Sequence, residues 1–335
     1  MGKVKYLMKR LTKMNYKAMF DKINVVHKKT GKNRIYLFFD VVYCGLKYQA
    51  GYIDYELFEM YNLNKEQRKT ILTRGINNSY IKRFNNPKYT HIFNYKKETN
   101  EKFNKFINRD WLDFNKCSKK EFSNFIKKHD VFIMKPNGGS CGKGIEKIKV
   151  SDYKEKELYD YLSTKGDILL EELIIQHKDM NKMYDGAINT CRVISILKDD
   201  EVHIVAAYLR VGNGAFVDNF NSGGMVVPIN VKTGKIEYNA LDKKHNLYEK
   251  HPQSGTKFIG FKIPLWDEVF KLIKEAGKVV PEVKFLGWDI AISKNGPMLV
   301  EINDFPGHDI YQLPPHRTNG IGVLPDFEKV INGKK

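Results

Sequence analysis

The chain has 335 residues, 42% hydrophobic and 29% charged, the make-up of a globular protein long enough for two or three lobes and a sizeable core. No apolar run approaches the roughly 20 residues that span a bilayer, and Cys44, Cys117, Cys141 and Cys191 lack disulfide-framework or metal-site spacing, so they read as reduced thiols of a cytoplasmic protein. The formal net charge of +18 bears on partners rather than on fold: an anionic membrane surface or a polyanionic substrate fits it, and no helix-turn-helix, zinc-finger or RNA-recognition signature supports nucleic acid.

The first residues have neither the apolar core nor the cleavage site of a secretory signal, and Tyr6 stands where a myristoylation signal needs Ser or Thr. Val4, Leu7, Met8, Leu11, Met14, Ala18 and Met19 recur at helical spacing, opposite Lys3, Lys5, Lys9, Arg10, Lys13 and Lys17. A basic amphipathic helix of this kind either makes peripheral contact with an anionic membrane, as at the inner membrane face, or packs on its own domain. The modest apolar face, which lacks Trp, favours packing. Residues 35–46 are apolar around Asp40 and too short to span, which predicts a buried helix. Helical patterns continue over 55–61 and 65–73, so residues 1–95 read as an α-rich basic N-terminal domain that recognises the acceptor.

Residues 88–115 turn polar and rich in Asn and Lys, with Lys102 and Lys105 on a short helix. From 131 the pattern changes to a strand ending at Lys135, then Pro136-Asn-Gly-Gly139-Ser140-Cys-Gly142-Lys143-Gly144, then a strand over 145–150. Strand, glycine-rich loop, strand makes a hairpin whose tip exposes backbone N–H groups and can wrap a phosphate chain. No helix follows it, which excludes a P-loop and a dinucleotide fingerprint; an ordinary flexible hairpin is the plain alternative. After a helix over 152–163, the strand 167–175 carries paired acids, Glu171 and Glu172, either solvated or holding a ligand's polar groups. A hairpin turns at Asp199-Asp200, with Arg192 inside its first strand, either on a wet face or opposite a phosphate. A second glycine-rich loop holds Asn219, Asn221, Gly223 and Gly224. A helix over 265–280 leads into the last hairpin.

That hairpin reads Phe285-Leu-Gly-Trp-Asp289-Ile-Ala-Ile-Ser, Lys-Asn-Gly, then Pro-Met-Leu-Val-Glu301-Ile-Asn303. Glu301 and Asn303 share a face because strand side chains alternate. A two-residue Asn295-Gly296 turn would put Asp289 on the other face. A three-residue Lys294-Asn295-Gly296 loop would set it across from Glu301 and build an all-oxygen site of the kind Mg²⁺ prefers. A solvated edge hairpin is the alternative.

Taken in this order, the pieces resemble the ATP-grasp superfamily over about residues 102–307. The stretch Asp218-Asn-Phe-Asn-Ser-Gly-Gly and the ending Val-Glu-Ile-Asn-Asp-Phe-Pro-Gly are similar to those of amino-acid-adding ATP-grasp ligases. Gly138-Gly-Ser-Cys-Gly-Lys-Gly-Ile and Asn189-Thr-Cys-Arg look closest to the sugar-transfer-associated branch, related to α-L-glutamate ligases and inferred to serve bacterial surface-polysaccharide synthesis. The resemblance implies an α+β ATP-grasp fold in which two lobes, 96–175 and 176–335, grip ATP behind the N-terminal domain. Lys135 and Lys102 would bind phosphates, with Lys105 the competitor of Lys102. Gly139, Ser140, Gly142 and Lys143 would close over the triphosphate as a lid. Glu171 and Glu172, with the backbone of Leu173 and Ile174, would hold adenine or ribose. Arg192, with Lys143, would serve catalysis by steadying the transferred phosphoryl group. Asp289, Glu301 and Asn303 would hold Mg²⁺, and Asn219, Asn221, Gly223 and Gly224 would touch the acceptor. The implied reaction joins a carboxylate, glycan- or lipid-linked, to an amine through an acylphosphate. Phosphoryl transfer to a hydroxyl and a nucleotide-binding scaffold of low turnover are the alternatives, and the N-terminal domain departs from the short βαβ domain of many members.

Overall fold

The computed structural model describes residues 15–139, 143–214, 218, 220 and 223–333. They form two compact units, one made of residues up to Arg83 with those from Gly307 onward, the other of Phe84–Pro306.

The first unit is helical in its described residues. It contains α1 (Tyr16–Thr30), α2 (Arg34–Tyr48), α3 (Tyr52–Leu57), α4 (Lys65–Lys69), α5 (Arg74–Phe84, whose last residue falls in the other unit) and a C-terminal helix, Leu324–Asn332. Asn15 caps α1 by accepting from the Ala18 amide, and its own φ of −79° and ψ of 92° are not helical. One helix therefore does not run from Val4 to Met19, and the part of that pattern before Asn15 lies outside the described residues. Gly31, at φ +71°, ends α1 in the left-handed region, and Asn33 caps α2.

The helix expected over 35–46 is present, but it is not buried all round. Leu37, Val41, Cys44 and Tyr48 face the core, while Ile35, Phe39 and Leu46 are 69%, 65% and 57% exposed. Asp40 sits inside the apolar run because Arg68 needs it. The guanidinium grips it at 2.6 and 2.8 Å, and the Tyr55 hydroxyl donates to it at 2.7 Å. The returning chain is tied in by His308 on Asp54 at 2.8 Å, by Gln312 on the Leu72 backbone, and by Arg317 on the Phe58 carbonyl.

The second unit carries two antiparallel sheets. After α6 (Lys96–Lys102) and α7 (Asn104–Ile107), four strands pair in the order β1-β4-β2-β3: β1 Trp111–Asp113, β2 Val131–Pro136, β3 Glu146–Lys149 and β4 Ile168–Glu172. Helices α8 (Lys119–Lys128) and α9 (Glu155–Ser163) cover this sheet through Phe122, Phe125, Leu158 and Leu162. Then α10 (Lys178–Met183) leads into seven strands ordered β11-β10-β5-β6-β7-β8-β9: β5 Thr190–Lys198, β6 Glu201–Val211, β7 Met225–Pro228, β8 Ala240–Asp242, β9 Leu247–Tyr248, β10 Phe285–Ser293 and β11 Gly296–Asn303. The amphipathic helix α11 (Trp266–Ala276) packs Trp266, Val269, Ile273 and Ala276 into the large core with Trp288. The β5–β6 hairpin turns at Asp199 and Asp200, at φ +50° and +57°, the left-handed pair of a type I′ turn. The small sheet falls within the expected first lobe and the large sheet within the expected second. The compact units divide the chain differently, at 83/84 rather than at 95, and residues 307–335 group with the N-terminal residues rather than with the second lobe.

Candidate functional site

The last hairpin does set Asp289 opposite Glu301, but by another device than loop length. Ser293 pairs with Gly296, so the turn has two residues, Lys294 and Asn295. That register continues through Ile290 and Leu299, then shifts, so that Asp289 pairs with Glu301 and Gly287 with Asn303. Val300 is the extra residue, a bulge that turns the following side chains to the face Asp289 occupies. The odd-length loop expected from sequence is therefore corrected, while Asp289, Glu301 and Asn303 do come to one face. A bulge is a common device where a strand must re-aim a side chain at a site.

Asp289 is buried between two arginines. Arg192 Nε donates to Oδ1 and Arg192 Nη2 to Oδ2 at 2.9 Å, and Arg210 Nη1 also donates to Oδ2, at 2.9 Å. Burial alone would raise this carboxyl; the two guanidiniums outweigh it and hold Asp289 below the ordinary value. Asp218, partly buried, accepts from the Thr190 amide and hydroxyl, with Arg210 at 3.9 Å. Its desolvation outweighs those partners and raises it. Glu301 is raised as well, by burial and then by the like charge of Asp289, against the pull of Lys96, Arg192 and Lys135. Asn303 is half-buried, and among the described residues its amide nitrogen has no hydrogen-bond partner.

The small sheet faces this hairpin with cations. Lys135, on β2, donates to Glu171 on β4 at 2.5 Å. Arg109 donates to the same carboxylate oxygen from Nε at 3.0 Å and Nη2 at 2.8 Å, and Asn100 donates to the other oxygen at 3.1 Å. Glu171 is fully desolvated, which opposes ionisation, yet Arg109 and Lys135 bring it down to about 2. Arg109 also donates to the Leu299 carbonyl at 2.6 Å and so ties the small sheet to β11. Lys96 donates to the Gly139 carbonyl at 3.1 Å at the base of the glycine-rich loop, and its charge senses Glu301, Lys135 and Glu171. Burial lowers Lys96. The neighbouring backbone is fixed by Asn137, which accepts from Lys96 N through its carbonyl and from Lys97 N through its side chain.

Several expected residues fall elsewhere. Lys102 is exposed at the end of α6 and Lys105 pairs with Glu275 at 2.9 Å; Lys96, at the helix start, is the lysine of this region that reaches the cluster. Glu171 faces Lys135 and Arg109, which both donate to its carboxylate. Glu172 points to the other side of β4 and accepts from the Asp110 amide at 3.0 Å. Beyond it, the chain crosses from β4 to the large sheet, where His177 N donates to the Ile292 carbonyl. Among the described residues, the backbone of Leu173 and Ile174 in that crossing makes no hydrogen bond. Lys143 is exposed on the loop. Gly144 needs its identity: its φ is +74°, and a Cβ there would lie 2.8 Å from Pro136 Cγ. Ser140, Gly142, Asn219 and Asn221 lie outside the described residues; Gly223 is exposed at φ +96° and Gly224 is buried before β7.

Sequence reasoning missed Lys96, Arg109 and Arg210. For the arginines a signal existed: Glu171 and Asp289 stand in buried strands, and a carboxylate there requires a cation.

A family model described as sugar-transfer associated ATP-grasp matches residues 75–331. Among solved structures, the ATP-grasp ligase PsnB, complexed with a phosphomimetic variant of its minimal precursor, Mg and ADP, is similar at TM-score 0.44 and 15% identity over 75% of this chain. The chain spans about three fifths of PsnB's length, 62%. D-alanine–D-alanine ligase from Bacillus anthracis is similar at TM-score 0.44 and 15% identity, over 77% of this chain and 73% of that one. An L-amino acid ligase from Bacillus licheniformis gives 0.42 and 9%, over 71% and 48%. No curated protein matches the sequence.

Proposed function

The chain belongs to the sugar-transfer-associated ATP-grasp family, and from that premise we propose that it is an ATP- and Mg²⁺-dependent carboxylate–amine ligase acting on a bacterial surface polysaccharide or its lipid-linked precursor. ATP and Mg²⁺ are the cofactors that go with the family. The observation that supports the reading most is a meeting of charges between the two sheets. Lys96 and Lys135 from one side face Glu301, Asp289 and two arginines on the other.

The residues present fit a hard cation. Glu301, Asn303 and Asp289 offer oxygen only, on one face of one hairpin. Without a cation, Glu301 carries a carboxyl raised by burial and by Asp289, an unfavourable state that a divalent ion relieves. When bound, the Mg²⁺·ATP pair supplies the phosphoryl group and neutralises the leaving phosphates. Lys96 and Lys135 are read as the phosphate lysines, and the free backbone at Leu173 and Ile174 as the adenine edge. Arg192 and Arg210 are read as the donors that stabilise negative charge while the substrate carboxylate becomes an acylphosphate and the amine displaces phosphate. Positioning and charge suffice for this reaction, so no protein nucleophile is required. The thiol of Cys191, buried beside the site and pushed up by desolvation, takes no part.

The test is chemical. Incubation with ATP, Mg²⁺, hydroxylamine and candidate uronic or amino acids should yield an acyl hydroxamate and ADP in equal amounts. A stable phosphorylated acceptor with no hydroxamate would replace the ligase by a kinase. The family description supports the glycan acceptor.

A further inference from the structure

The helical unit carries an apolar surface that stays exposed among its described residues. Leu37, Val41, Cys44 and Tyr48 turn α2 to the core, and the opposite side carries Ile35, Phe39, Tyr43 and Leu46 with Tyr36 beside them, all at least 41% exposed. Spacings of four, four and three residues place these side chains on one stripe. A helix apolar on both sides belongs in a core or against a partner, and patches of this kind mark interaction surfaces. The stripe continues onto α1, where Tyr16 and Phe20 are about half exposed and Phe20 stacks on Phe38 with ring centres 5.9 Å apart. Between the helices lies a groove of about 280 Å³ lined by Phe20, Ile23, Asn24, Arg34, Ile35 and Phe38.

The charge around the stripe has one dominant sign. The only acid of α2, Asp40, is engaged by Arg68, and the helix's other charged residues, Arg34 and Lys47, are exposed at its two ends. On α1, Lys17 and Lys28 are exposed, with Asp21 the one exposed acid. In sequence, residues 1–83 hold eighteen lysines and arginines against six acids.

We propose that this face docks the protein on an anionic bilayer surface, with the α2 stripe entering the headgroup–acyl boundary and the flanking cations meeting lipid phosphates. Aliphatic and aromatic side chains rimmed by Lys and Arg have the layout of an interfacial helix. A groove with an apolar floor and Arg34 at its edge matches the two ends of a lipid. A second copy fits less well, because a self-complementary pairing would bring Arg34, Lys17 and Lys47 against their own kind. A soluble polyanion would meet the cations and leave Ile35, Phe39 and Leu46 in water. The inference is independent of which bond the enzyme makes.

The experiment is co-sedimentation of the full chain with phosphatidylcholine vesicles, with and without phosphatidylglycerol. Binding is expected only with phosphatidylglycerol and should weaken with added salt. The double substitution Phe39→Asp/Leu46→Asp should lower it by about tenfold or more. Both residues are exposed, so the far-ultraviolet circular dichroism and melting of that variant should match the parent. Arg34→Glu/Lys47→Glu should weaken binding while preserving the fold. Absence of binding to phosphatidylglycerol vesicles overturns the proposal. So does undiminished binding by the α2 variant, or a parent dimer that the variant splits while no vesicle is bound.

Discussion

Replacing Arg109 by Met would strip the guanidinium from Glu171 while keeping most of the side chain's apolar stem. The wild-type carboxylate is held by Arg109 at 2.8 and 3.0 Å, Lys135 at 2.5 Å and Asn100 at 3.1 Å, and Arg109 alone reaches the Leu299 carbonyl. Removing one partner of a buried pair leaves an uncompensated charge, at a cost of about 3–5 kcal/mol. The proton equilibrium offers a separate measure. A carboxyl taken from the ordinary 4.5 to about 2 gains about 3 kcal/mol of stability at neutral pH. Lys135 supplies part of that, so about 2–4 kcal/mol is expected for Arg109→Met. The sign with pH is fixed. A depressed carboxyl contributes in full above its unfolded value and loses its contribution as pH falls from 4.5 toward 2. Urea unfolding should therefore show the gap between parent and variant at pH 7 shrinking to about half by pH 3. Fluorescence can follow it locally, since Trp111 is the cross-strand partner of Glu171. Glu171→Gln and the double variant complete a cycle with a coupling of about 2–3 kcal/mol. A gap under about 1 kcal/mol at pH 7, or one that stays flat to pH 3, would refute the account.

Lys96→Met should raise the KM for ATP by about tenfold or more, the loss of one charge-assisted contact, and Lys102→Met should leave it unchanged; the reverse order would restore the sequence assignment. Glu301→Gln should abolish Mg²⁺-dependent turnover yet raise the melting temperature at pH 8. A raised carboxyl contributes stability at low pH and loses it as pH climbs through the folded value, so the gain should vanish near pH 4. Equal melting at both pH values would contradict the burial and repulsion argued for this side chain. Gly144→Ala should cost about 1–3 kcal/mol, from the left-handed backbone and the approach to Pro136. Gly138→Ala has open space at its Cβ position and should cost less than half as much by thermal melting.

The hairpin residues were legible because carboxylates and an amide interrupt apolar strands, and period two puts Glu301 and Asn303 together. The pairing of Asp289 was legible in outcome and not in cause. A bulge at Val300 inserts a β-branched residue that looks like any other strand residue, whereas loop-length rules see only the turn. The choice of lysine was not legible. Lys96, Lys97, Lys102 and Lys105 lie within ten residues, and the docking of the Lys96–Lys97 backbone on Asn137 decides which one reaches the site. The exposed stripe of α2 was hidden for another reason: apolar composition fixes that a face avoids water, not what covers it.

The charge of the chain takes on a different meaning from its distribution. Around the site most of the cations are already paired: Arg109 and Lys135 with Glu171, Arg192 and Arg210 with Asp289. Such a site holds little net field for steering a polyanion. The excess lies elsewhere, with eighteen lysines and arginines against six acids in residues 1–83, which is twelve of the eighteen net positive charges in about a quarter of the chain. Two thirds of the net charge thus belongs to residues 1–83 rather than to the ATP end. It argues for an anionic surface beside the apolar stripe of α2 more strongly than for a polyanionic substrate at the hairpin.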